Sequence, residues 1–143
     1  MSREYPARPI TAVGGLIFKG EEALLVRRAK DPGRGQWSIP GGAIKVGETL
    51  LQALSREMRE ETNLDVETGP LVAAVERIVR DPEGKVMFHY IILDYLCFAP
   101  RDEPRPGSDV SVVRFVSADN WPGFGLDQLA LDTLHKALDM IRN

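Results

Sequence analysis

The chain has 143 residues, with 43% hydrophobic and 27% charged side chains and a formal net charge of −3. That composition sets aside disorder and suits one domain, 1–143, with a sizeable core. Lys and Arg are scattered over a mildly acidic background, so a nucleic-acid polymer is not expected as partner, whereas a small anion held by a few local cations is compatible with it.

Along the chain, residues 1–9 carry no apolar signal core. Residues 10–18 are apolar and β-branched, 19–22 form a turn, and 23–26 are a second apolar run ending in Arg27 and Arg28. The two runs read as a hairpin. Residues 31–35 are a loop by composition, and 37–42 a short extended piece. The stretch 48–62 lacks Gly and Pro and is rich in helix formers, which predicts a helix, with Asn63 as a left-handed C-terminal cap. Strands are expected at 71–79, 86–98 and 110–116, with a turn at 81–84 and a Pro-rich loop at 100–108. Leu129, Leu131, Leu134, Leu138 and Ile141 give helical spacing over 128–142. Strands on both sides of one helix, plus a terminal helix, predict an α/β fold with a mixed sheet covered by helices. The apolar runs are strand-length, so no membrane span or membrane partner is expected. Cys97 is the only cysteine; it fits a reducing, cytoplasmic setting.

The informative stretch is 42–64. At about 100° per residue, Glu57, Glu60 and Glu61 lie within about 100° of one another and continue the face that Leu50, Ala53 and Leu54 make apolar. Gln52 and Arg59 take the opposite face. Like charges at that spacing repel, and partial burial raises the cost. A hard divalent cation would relieve it. Arg56, beside Glu60 on the wheel, is placed to hold a carboxylate by a bidentate contact. A solvated, charge-rich helix is the bland alternative, and the core-side placement of the acids argues against it.

Gly42, Glu48, Arg56-Glu57, Met58, Glu60-Glu61 and Leu64 stand at the spacing of the Nudix box, G-x₅-E-x₇-R-E-U-x-E-E-x-G-U. Six specified residues match by chance on the order of once in ten million starting positions. The sequence therefore resembles the Nudix hydrolase family, and within it the ADP-ribose pyrophosphatase-like members, through Trp37-Ser38-Ile39-Pro40-Gly41-Gly42 ahead of the box and residues 88–95 after it. The box departs at one position, where Asn63 replaces glycine; Lys45 stands where relatives often carry an acid.

The resemblance implies an α/β/α sandwich with a mixed β-sheet and the box at 42–64 as loop–helix–loop. It also implies Mg²⁺, or Mn²⁺ in its place, held by Glu57, Glu60, Glu61 and the Gly42 carbonyl. Glu48 would be an outer ligand or a helix-start contact. Arg56 would orient a carboxylate, and Glu60 or Glu61 would activate water. A further acid is expected from a loop before a late strand; Asp109 is best placed and Glu103 second, the alternative for Asp109 being a turn cap. Arg27, Arg28 and Lys45 are candidates for substrate phosphates, with ordinary surface charge as the alternative. His89 and Trp37 read as packing residues. Trp121 and Phe124 would cover a base only if their loop folded over the site.

The implied activity is hydrolysis of a pyrophosphate bond in a nucleoside diphosphate linked to another group, with ADP-ribose or a similar sugar nucleotide first. A nucleoside triphosphate pyrophosphohydrolase shares the same box. A non-catalytic nucleotide sensor would be expected to lose box glutamates, and here all are present. A homodimer through residues 10–18 is open by analogy.

Overall fold

The computed structural model describes residues 3–31, 33–99 and 102–143. Seven strands and two long helices follow in the order β1 (Ile10–Lys19), β2 (Glu22–Arg28), β3 (Trp37–Ser38), β4 (Gly41–Ala43), α1 (Leu50–Thr62), β5 (Glu67–Arg80), β6 (Val86–Phe98), β7 (Val110–Val116) and α2 (Gln128–Arg142), with a 3₁₀ segment at Ala118–Phe124. The sheet is mixed. β1 runs parallel to β6 from Ile10↔Tyr90 to Phe18↔Phe98, and β5 is antiparallel to β6.

The expected hairpin exists, but only as its tip. β1 and β2 pair at Phe18↔Ala23 and Lys19↔Glu22 and then part. The freed edge of β1 takes β4, with Val13↔Gly42 and Gly14↔Gly41, while β2 takes β3 on one side and β7 on the other. This split of the sheet places Gly41 and Gly42 against the middle of the central strand.

Period-2 alternation then sorts the core into two layers. Val13, Ile17, Leu24 and Cys97 face α1 and pack with its Ala53, Leu54 and Met58. Leu16, Phe18, Leu25 and Leu96 face the other way and pack with Trp121, Leu134 and Leu138. The result is an α/β/α sandwich. Each fully buried Leu or Met contributes about 2 kcal/mol of apolar burial. Gly15 sets how closely α1 lies on the sheet, since a Cβ there would stand 2.4 Å from Met58 Sδ.

α1 begins two residues later than expected. Thr49 is the N-cap, its side chain accepting from the Gln52 N–H while the Gln52 side chain accepts from the Thr49 N–H; this capping box satisfies two otherwise orphaned donors. Glu48 is released from the helix for other contacts. Asn63 ends the helix at φ 60°, as its tolerance of the left-handed region predicts. β5 starts four residues earlier than expected, running through Gly69-Pro70. It is the sheet's outer strand, where proline removes no needed donor, and its register shifts between Thr68 and Leu71. The 3₁₀ segment is not visible in the hydrophobic periodicity. It forms because Trp121 is fully buried and donates its indole N–H to the Val116 carbonyl. Among the described residues no helix is long and apolar enough to cross a membrane.

Candidate active site

The helix α1 presents its carboxylates to the β4 loop. The Glu57 carboxylate lies directly over Gly42, so a Cβ at that position would fall 2.5 Å from its Oε1. Only glycine leaves that approach open. Glu61, one turn on, accepts the Gly41 N–H on Oε1 at 3.1 Å. It is mostly buried. Burial pushes its carboxyl up to about 8, the nearby Glu57 and Asp109 charges add to the rise, and the Gly41 N–H and Arg28 work against it.

Arg56 organises the other acids. Its Nε and Nη2 form a fork onto Glu48 at 2.6 and 2.8 Å. Nη1 reaches Glu57 at 2.8 Å and Glu60 at 3.3 Å, and Nη2 also donates to the Ala43 carbonyl at 3.2 Å. The carboxylate held by the bidentate contact is thus Glu48, eight residues away, while Glu60, beside Arg56 on the wheel, takes a single longer contact. Glu48 also accepts the Lys45 N–H at 2.7 Å. Arg56 first, and then that N–H, hold its carboxyl down near 2. Glu48 therefore ties the start of the helix to the β4 loop, one of the two roles foreseen for it. Lys45 enters this network through its backbone, while its side chain is exposed.

The remaining candidates separate. Arg28 acts electrostatically on Glu61, and Arg27 donates from Nε to the Ser111 hydroxyl at 3.0 Å. Asp109 also acts on Glu61 and pairs with Lys30 at 2.9 Å. Its carbonyl accepts from the Ala29 N–H, which ties it to the end of β2. Glu103 pairs instead with Lys19 at 3.6 Å, and both of those side chains are exposed. Trp121 lies wholly in the core and cannot cover a ligand. Trp37 packs edge-on against Phe124 with centroids 5.0 Å apart.

A contact the sequence reading missed runs from Asn63. Its side-chain Nδ2 donates to the carbonyls of Arg105 and Pro106 at 2.9 and 3.3 Å. The Arg105 and Gly107 N–H groups donate back to the carbonyls of Thr62 and Glu61. A Cβ at Gly107 would overlap the Glu60 carbonyl oxygen. The loop that leads to Asp109 is therefore strapped to the end of α1, and the residue that departs from the box supplies two of the straps. Asn63 and Gly107 were the available signal.

The donors are hard oxygens, and two of the carboxylates converge on a backbone cradle that a Cβ would fill, which fits a divalent cation. Among the described residues no group of three or more acidic or histidine side chains is already gathered as a cage; Glu60 is turned toward Arg56.

The sequence profile of the NUDIX domain matches residues 8–134. The chain belongs to the Nudix family. It is a hydrolase of that family, and its relatives bear this out. It is 34% identical over 119 residues to a protein named ADP-ribose pyrophosphatase from Methanocaldococcus jannaschii, covering 83% of this chain and 68% of that one. Over 61 residues it is 42% identical to the 8-oxo-dGDP phosphatase NUDT18 of Homo sapiens, covering 43% of this chain and 19% of that protein. The crystal structure of a MutT NUDIX hydrolase from Burkholderia pseudomallei superposes with a TM-score of 0.77 at 25% identity, covering 90% of this chain and 98% of that one.

Proposed function

We propose that this Nudix hydrolase cleaves the pyrophosphate bond of a nucleoside diphosphate linked to another group, with ADP-ribose or a similar sugar nucleotide as substrate. The observation that carries the reading is the convergence of Glu57 and Glu61 on the Gly41–Gly42 cradle. The named activity of the archaeal relative, aligned along most of this chain, supports the substrate class.

Glu57, Glu60 and Glu61, with the Gly42 carbonyl, would hold Mg²⁺ or Mn²⁺. When bound, such a cation neutralises phosphate charge and acidifies water. Arg56 keeps Glu57 in its rotamer and ties the helix to the β4 loop through Glu48. Gly41 fixes one oxygen of Glu61, leaving the other to take a proton from the attacking water. Arg28 and Asp109 both act on the Glu61 carboxyl; Arg28 would meet a substrate phosphate, and Asp109 would supply the further acid from the strapped loop.

The alternative is hydrolysis of an oxidised nucleotide, favoured by the local likeness to an 8-oxo-dGDP phosphatase. Product separation after incubation with ADP-ribose, sugar nucleotides and oxidised nucleoside di- and triphosphates decides between them. AMP plus ribose 5-phosphate supports the first reading, and a nucleoside monophosphate from an oxidised substrate supports the second. With the best substrate, Glu60→Gln is expected to lower kcat by about a hundredfold or more with little change in Tm, since it keeps volume and removes a ligand charge; near-normal kcat removes Glu60 from the site. Asp109→Asn is expected to lower kcat about tenfold, a typical share for a positioned acid or base; an unchanged rate assigns Asp109 to its Lys30 pair alone.

A further inference from the structure

One buried acid has no part in the site above. Asp94, on β6, is 5% exposed and makes no hydrogen bond or ion pair with any described residue; Arg77 acts on it electrostatically. Arg77 is turned to Asp127 at the start of α2. Among the described residues no fully sealed side-chain oxygen or nitrogen lacks a partner, so the Asp94 oxygens keep a narrow opening. Burial pushes the carboxyl up to about 6, with Arg77 opposing. Keeping an unpartnered carboxyl in such surroundings costs stability. Ile92 and Leu96, on the same face of the strand, show that an apolar side chain suits the place.

The surroundings indicate what would meet it. Gly14 lies beside Asp94 in register and beside Gly41 on its other side. A Cβ at Gly14 would stand 2.1 Å from Asp94 Oδ1 and 3.7 Å from Ile39, so the Asp94 carboxylate lies over the bare glycine, in space that any side chain there would take. This face points away from α1. It carries Ala12, Ala73 and Ile92 from the sheet, and Ile39, Trp37 and Phe124 pack onto the same layer. The segment 37–42 borders both places, with Ile39 on the Asp94 side and Gly42 under Glu57. Two inter-strand spacings put Asp94 about 10 Å from Gly41, the reach of a nucleoside whose phosphates rest at Gly42. A flat ring with apolar faces and a donor on its edge matches the chemistry of these side chains.

We propose that Asp94 determines base specificity, its carboxylate accepting an N–H from the exocyclic amino group of a purine whose phosphates lie at Gly41–Gly42. The inference rests on the site binding a nucleotide, not on which nucleotide is hydrolysed. The test is calorimetric titration of AMP, GMP and IMP, in Mg²⁺, into the full chain and into Asp94→Leu and Asp94→Ala. The wild type is expected to bind AMP or GMP about tenfold more tightly than IMP, which lacks the amino group, because one hydrogen bond to a charged acceptor is at stake. Both variants are expected to bind all three within about twofold of one another, with Tm unchanged or raised, and the alanine variant stands in if leucine overpacks the site. Variants that keep the wild-type ratio, or a wild type with no preference or no binding, overturn the proposal. Discrimination without ADP-ribose turnover would sink the substrate reading and leave the role of Asp94 standing.

Discussion

Arg56→Lys is expected to lower kcat by about a hundredfold, the scale of a misplaced catalytic group, although it conserves the charge. The guanidinium contacts Glu48, Glu57 and Glu60 and the Ala43 carbonyl at once. An ammonium has no planar fork and a single point of charge, so it can serve Glu48 or Glu57 but not both. The side chains of Arg56, Glu48 and Glu57 are 20%, 19% and 13% exposed, so a carboxylate left behind is poorly compensated by water. Breaking such a network is expected to lower stability as well. Steady-state kinetics and urea unfolding of the variant check both effects. A wild-type kcat would show that Arg56 is a surface cation without a positioning role.

Glu61→Gln separates stability from activity in opposite directions. In the metal-free protein the folded carboxyl titrates near 8 and the unfolded one near 4.5. Between those values the folded state holds a proton that the unfolded state has lost. Unfolding free energy therefore falls as pH rises through the window, by an upper bound on the order of 4 kcal/mol. Glutamine has no such group, so the variant is expected to be the more stable protein at pH 8 in EDTA while losing about a hundredfold or more in kcat. Glu48 does not confuse the measurement. Its carboxyl is shifted the other way, to about 2, so its stabilisation is present above about 4.5 and is lost only as pH falls below that. Added Mg²⁺ should reverse the slope for the wild type, because the cation needs the deprotonated carboxylate. Urea melts at pH 5 and pH 8 in EDTA give the result; a variant less stable than wild type at pH 8 would contradict it.

The strands at 86–98 and 110–116 and the helix at 128–142 were legible to the residue, because an apolar run or helical spacing there is set off by polar, Gly or Pro residues. The acidic face of α1 was legible for the same reason: periodicity alone puts Glu57 and Glu61 on the core side. Longer-range pairing was not. Nothing local in residues 10–28 says that β1 and β2 separate after two pairs and admit β4, yet that split carries Gly42 under Glu57. Arg56 was expected to hold a carboxylate, but periodicity could not say which; Glu48 is the forked partner because Thr49 takes over the cap and frees it. The strap from Asn63 to residues 105–107 spans some forty residues and left only an unusual box residue as its trace. Asp94 stands in the segment 88–95 that carries the resemblance, but that it has no partner among the described residues is a property of the packed sheet.

The most direct test of the central claim is ADP-ribose turnover before and after removal of divalent cations, followed by their return. Wild-type protein should release AMP in Mg²⁺, stop in EDTA and recover when Mg²⁺ or Mn²⁺ is restored, while Glu61→Gln should not recover. Turnover that survives EDTA, or no pyrophosphate cleavage with either cation, would contradict the assignment of the Glu57–Glu61 cluster as the centre of a divalent-dependent pyrophosphohydrolase.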